Sequence, residues 1–121
     1  MHHFESVVNA LLVMRFGEVK VQDRSLSWVG LFGQKIVPDF MAGDFCFEVK
    51  YQDCSGSVDQ KIVYAVEQIR QCHQMPTFLI VAGEGWSVGA MNWLFAQPSD
   101  SIYLGAMDMN KFIKWLNNVK N

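Results

Sequence analysis

The sequence predicts a mixed α/β fold, and three observations carry that prediction. Residues 45–51 alternate apolar and polar as a half-buried strand does, and residues 77–82 form a short continuous apolar run. Both stand between segments whose apolar residues repeat at helical spacing. Helices and strands that alternate in this way bury a sheet between layers of helix.

The elements follow in order. Phe4, Val7, Val8, Leu11 and Leu12 recur three and four apart and Gly17 lies just beyond, which predicts a helix from about His3 to Phe16 with a glycine at its C-terminal end. Val19 and Val21 open an extended stretch. With Gly30 and Gly33 set among Trp28, Leu31 and Phe32, the segment to Val37 reads as strand, loop, strand. Ala42-Gly43-Asp44 predicts a tight turn, which places Asp39 and Phe40 on a strand hairpinned to Phe45–Tyr51. On that second strand Phe45, Phe47, Val49 and Tyr51 share one face, and Cys46, Glu48 and Lys50 share the other.

Ser55-Gly56-Ser57 then breaks the chain. Ser57 and Gln60 form a capping box for a helix spanning about Val58 to Gln74, with Ile62, Ala65, Val66 and Ile69 as its apolar stripe. Pro76 leads into Thr77–Ala82, a central strand covered on both faces. After the Gly83-Glu84-Gly85 turn, Ser87 caps a third helix carrying Val88, Met91, Trp93, Leu94 and Phe95, and Pro98 follows its end. A short strand from Ile102 to Leu104 precedes Asp108, the N-cap of a last helix with Phe112, Ile113, Trp115, Leu116 and Val119. The predicted order is α-β-β-β-α-β-α-β-α. No linker or low-complexity tract interrupts it, so residues 1–121 are expected to form a single domain.

Composition narrows the function classes. A chain of 121 residues that is 50% hydrophobic and 18% charged can bury a core without staples, which excludes a disordered tail. Its three cysteines, Cys46, Cys54 and Cys72, are odd in number and lack CxxC spacing. They argue against a disulfide framework or zinc ribbon and fit a reducing cytoplasm. There is no apolar run of the roughly eighteen residues a membrane span needs, and no basic, then apolar, leader. A soluble, unprocessed, cytoplasmic protein is expected. The net charge of −2 excludes a basic sleeve, so any nucleic-acid contact must be local.

The residues that point to chemistry lie on the predicted hairpin. Pro38-Asp39, eight intervening residues, and Glu48-Val49-Lys50 place one acid on the first strand and an acid with a lysine on the same face of the second. Two converging carboxylates, with the Val49 carbonyl and water, are the hard oxygen ligands that Mg²⁺ prefers and Mn²⁺ accepts. A lysine beside them can orient or deprotonate water or stabilise a pentavalent phosphate, as phosphodiester hydrolysis requires. Glu18-Val19-Lys20 repeats the triplet, but nothing like Pro-Asp precedes it.

At these residues the sequence resembles the PD-(D/E)xK nuclease superfamily, which includes many restriction endonucleases and archaeal-type Holliday junction resolvases. The resemblance implies a restriction-endonuclease-like αβββαβ core, matched here over about residues 3–82, with a C-terminal αβα extension. It implies that Asp39 and Glu48 are metal ligands for Mg²⁺ and that Lys50 is the catalytic lysine. Glu5 resembles the first-helix acid of the resolvase branch, and a solvated first-turn acid explains it equally well. Gln60 and Tyr64 are similar to the Gln-xxx-Tyr element of the RecB-like branch, although the capping box also accounts for Gln60.

Ser55, Ser57 and Lys61 are candidate DNA contacts, because amides at a helix N-terminus donate hydrogen bonds to phosphate; an ordinary surface loop is the alternative. The function implied is a metal-dependent DNA endonuclease. A chain almost filled by its catalytic core is expected to form a homodimer, which supplies a second site. A resolvase of the same fold, and a catalytically silent DNA-binding or assembly module, are the alternatives. His2, His3 and His73 lack ligand spacing. The first two read as chain terminus, and His73 as a packed or dipole-compensating residue.

Overall fold

A computed structural model describes residues 1–54 and 59–120. Ser55, Ser57 and the proposed capping box that begins at Ser57 therefore lie outside the described residues. Among the described residues there are four helices and seven strands: α1 (His3–Phe16), β1 (Lys20–Val21), β2 (Trp28–Val29), β3 (Lys35–Ile36), β4 (Phe40–Ala42), β5 (Phe45–Tyr51), α2 (Asp59–Cys72), β6 (Thr77–Ala82), α3 (Val88–Ala96), β7 (Tyr103–Met107) and α4 (Met109–Asn118).

Five strands make one mixed sheet in the order β1-β4-β5-β6-β7. The β1, β4 and β5 strands pair antiparallel, and β6 and β7 add parallel to β5. Parallel neighbours need crossovers, and α2 and α3 supply them. This is the expected restriction-endonuclease-like arrangement of helices flanking a mixed sheet, with α3-β7-α4 as its C-terminal extension. One region was drawn too simply from sequence. Between Val19 and Val37 the chain forms the edge strand β1 and then a separate two-stranded ribbon, β2 with β3, inserted before β4.

Both faces of the sheet are covered, and each helix turns its apolar stripe inward. Phe4, Val8 and Leu12 of α1 and Phe112 and Leu116 of α4 pack on Phe40, Phe47, Val49 and Ile80. On the opposite face Ile62, Ala65, Val66 and Ile69 of α2 and Leu94 of α3 pack on Leu79, Val81 and Tyr103. Each such buried Leu, Ile or Phe contributes roughly 1.5–3 kcal/mol, so packing rather than intrinsic propensity holds these helices. The alternation of β5 sorts its residues accordingly: Phe47 and Val49 enter the α1/α4 core, and Glu48 and Lys50 are left on the α2 side.

The helix ends are capped as the sequence predicts at Ser87, which accepts from the Ala90 amide at 3.0 Å, and at Asp108, which accepts from the Lys111 amide at 2.8 Å. The start of α1 is capped by an unexpected residue. His2 accepts the Phe4 amide at Nδ1 over 3.1 Å and lays its ring 4.7 Å from that of Tyr51, so it is part of the packed structure rather than a loose terminus. Arg15 donates to the Leu116 and Val119 carbonyls and ties α1 to the end of α4. All three cysteines are free. Among the described residues no helix is long and apolar enough to cross a membrane.

Candidate active site

The site begins with strand register. Phe40 pairs with Phe47 and Met41 with Cys46 across the β4–β5 hairpin, whose turn is made by Gly43 at a φ of 58°. Continuing that register by one residue sets Asp39 opposite Glu48. Pro38 is buried beside it, and the Asp39 carbonyl accepts from the Gln22 amide at 3.0 Å, so the backbone at Asp39 is held from both sides.

The two acids are interlocked. The Asp39 amide donates to Glu48 Oε1 at 3.3 Å, and the Val49 amide donates to Asp39 Oδ2 at 2.9 Å. The Asp39 carboxylate beside it disfavours the charged form of Glu48. Burial raises the Glu48 pKa well above the ordinary carboxylate range, and the neighbouring charge and hydrogen bond of Asp39 raise it further. Lys50 opposes that shift from the same face of β5, so its ammonium acts on the pair.

His73 closes the site from behind. Its Nε2 lies 3.8 Å from Glu48 Oε1, beyond hydrogen-bond range, and its ring packs 5.1 Å from Trp28 of the ribbon. Burial pulls its pKa down from 6.5 to about 4, so it stands as a neutral ring and not as an ionic partner for Glu48. The Thr77 hydroxyl donates to the Met75 carbonyl at 2.8 Å, which makes His73 Nδ1 the donor in its 2.9 Å bond to Thr77 Oγ1. The lone pair of Nε2 then faces Glu48. Cys46, on the same strand face, is no nucleophile: burial and the charge of Glu48 push its thiol up to about 12.

An open cleft of about 350 Å³ runs between α1, β5 and α2, lined by residues that include Glu5, Lys50, Asp53, Lys61 and Trp86; neither Asp39 nor Glu48 lines it, and Val49 and Lys50, which follow Glu48 on β5, do. The structure thus brings Glu5 and Lys61 to the same cleft as Lys50. It does not bring Gln60 there. Gln60 lines a separate groove between α2 and α3 with Ile62, Val63, Ala90 and Trp93. The start of α2 is fixed by Asp59, whose carboxylate accepts from the Ser87 hydroxyl at 2.7 Å. The far wall of the cleft is fixed by two glycines. Gly83, at a φ of 96°, and Gly85 approach the Gln52–Cys54 backbone so closely that a Cβ would fall 2.0 Å from the Gln52 carbonyl oxygen and 2.4 Å from that of Cys54.

Asp39 and Glu48 suit a divalent cation. Two carboxylates held side by side, with burial and its neighbour both resisting the ionisation of Glu48, form a site that a hard cation would relieve. Among the described residues no group of three or more His, Cys, Asp or Glu is placed to hold a metal, and a cation held by Asp39 and Glu48 would take its other ligands from main chain, water or substrate.

A protein-family model, the PD-(D/E)XK nuclease superfamily domain, matches residues 7–120. The chain belongs to the PD-(D/E)XK nuclease superfamily. No curated protein and no solved structure matches it significantly. Membership in this superfamily supports a nuclease-type function, a hydrolase acting on the phosphodiester bonds of nucleic acid, and its members usually employ divalent metals.

His73 is the residue of this site that sequence reading missed as part of it. Its wall position depends on the parallel pairing of β5 with β6, which brings the end of α2 and Thr77 beside Cys46 and Glu48, and no spacing pattern encodes that contact.

Proposed function

We propose that the protein is a metal-dependent DNA endonuclease in which Asp39 and Glu48 hold Mg²⁺, or Mn²⁺ in its place, and Lys50 is the catalytic lysine. The observation that carries this reading is the interlocked carboxylate pair, with Lys50 acting on Glu48 from the same strand face. Bound there, the cation would polarise the scissile phosphate and lower the pKa of an attacking water. Asp39 is oriented for this role by the Val49 amide, and Glu48 by the Asp39 amide, so neither carboxylate has to find its geometry when substrate arrives. Lys50 orients the attacking water and offsets charge that develops on the phosphate. Lys61 and Glu5 line the cleft beside it, Lys61 as a backbone-phosphate contact and Glu5 as an acid that can reach a bound cation or its water. Gln60 has no role in this scheme, because its groove is separate. A homodimer, which supplies a second site, completes the proposal.

Supercoiled plasmid incubated with Mg²⁺, Mn²⁺ or EDTA tests the reading. Wild type should nick with either metal and not with EDTA. Lys50→Ala, folded by circular dichroism, should lose the activity by about 10²-fold or more. Metal-dependent nicking that survives in Lys50→Ala overturns the assignment, as does wild type that cuts in none of the three. A matched four-way junction in the same assay separates a resolvase from a duplex endonuclease.

A further inference from the structure

We propose that Phe32, at the tip of the β2–β3 ribbon, is a stacking platform for an unpaired nucleobase, so that the substrate engaged beside Lys50 carries a single-stranded segment. The inference rests on the nuclease reading above and names the substrate class of that site. Phe32 leaves 82% of its surface in water, although the loop that carries it is pinned. Its amide donates to Gln34 Oε1 at 2.9 Å, and Gln34 Nε2 donates to Tyr64 Oη at 2.8 Å and to Gln68 Oε1 at 3.1 Å. The Phe32 ring stacks on the Tyr64 ring at 5.6 Å and 21°, one face against α2 and the other open. The other end of the ribbon is anchored too, through Trp28 packed on His73 behind Glu48. An exposed ring whose position is fixed at little further entropic cost is what base stacking uses.

The setting favours nucleic acid over an apolar protein partner. Lys61, Tyr64 and Gln68 fall on one face of α2, and Lys61 lines the cleft with Lys50. Tyr64, on which the Phe32 ring stacks, lies about 4.5 Å further along the helix axis than Lys61. From Lys20 to Val37 the charged residues are Lys20, Arg24 and Lys35 against a single acid, Asp23, in a chain whose net charge is −2. The ribbon carries Lys35 and no acid, with Arg24 just before it, and bears one exposed aromatic, which suits a phosphate backbone with a splayed base.

Fluorescence anisotropy with a labelled poly-dT strand and a labelled blunt duplex of equal length, in EDTA so that neither is cut, tests this. Phe32→Ala should weaken single-strand binding about tenfold or more and leave the duplex within about twofold. Phe32→Trp should bind the single strand as wild type does, with its own fluorescence quenched on binding. Equal effects of Phe32→Ala on both ligands, no effect on either, or failure of Phe32→Trp to keep single-strand binding overturns the platform. So does a wild type that binds neither. An effect of Phe32→Ala confined to self-association also overturns it and assigns the ring to a protein contact. Duplex cleavage by Lys50→Ala, read separately with Mg²⁺, reports on the nuclease assignment alone.

Discussion

Glu48 and His73 lie side by side with opposite consequences for pH. Glu48 holds its proton more tightly folded than unfolded, so its contribution to stability without metal is full below its unfolded pKa and falls as pH rises towards the elevated folded value. His73 is buried neutral, so its contribution is full above 6.5 and is lost as pH falls towards about 4. In wild type the two slopes oppose each other from about pH 4.5 to 6.5. Glu48→Gln removes one of them and keeps an acceptor for the Asp39 amide. Urea unfolding in EDTA should find this variant more stable than wild type at pH 7 and more steeply stabilised by rising pH below 6.5. A steeper dependence in wild type would contradict the buried, proton-holding Glu48. Part of this was legible in sequence: the alternation of β5 places Glu48 and Lys50 together, and Pro38-Asp39 ranks that triplet above Glu18-Val19-Lys20. Lys20 in fact sits on the sheet-edge strand β1, opposite Met41. The wall at His73 was not legible, because it comes from contacts between elements distant in the chain.

Among the elements, α1 has the bounds expected from sequence, and the caps of α3 and α4 are at Ser87 and Asp108, because local chemistry decides such features. Strand boundaries and the ribbon were harder to read. Two-residue strands such as β2 and β3 carry too few residues to show a period, and their pairing is fixed by Gln34 reaching α2 and by Trp28 packing on His73. Gln60 and Lys61 are adjacent in sequence but face different grooves, which one helical step of about 100° is enough to cause. The Gly83-Glu84-Gly85 segment is a turn, as expected, and its glycines let the chain press on the Gln52–Cys54 backbone. Gly83→Ala should therefore cost about 2 kcal/mol or more in urea unfolding, since both the positive φ and the carbonyl contact oppose a Cβ. Because Gln52 and Asp53 line the cleft, nicking by the folded fraction should also fall. A stability within about 0.5 kcal/mol of wild type would contradict the close approach.

Across the whole molecule, the sheet divides the protein into two cores that set the hairpin bearing the acids between α1 on one side and α2 on the other. The net charge of −2 looks unfavourable for a polyanion partner, but it counts Asp39 and Glu48, whose charge the proposed cation would offset. Val88 on α3 and Ile113 on α4 leave apolar surface exposed, which the proposed homodimer could cover. Light scattering after size exclusion should return a dimer mass, and a monomer that cuts both strands of a duplex in one encounter would contradict that proposal. The nuclease centre itself is tested by titrating plasmid cleavage with Mn²⁺ for wild type, Glu48→Gln and Lys50→Ala, each shown to be folded. Cleavage that saturates with Mn²⁺ in wild type, needs far more metal or fails in Glu48→Gln, and fails at every concentration in Lys50→Ala is the predicted result. Superimposable curves for the three proteins would contradict it.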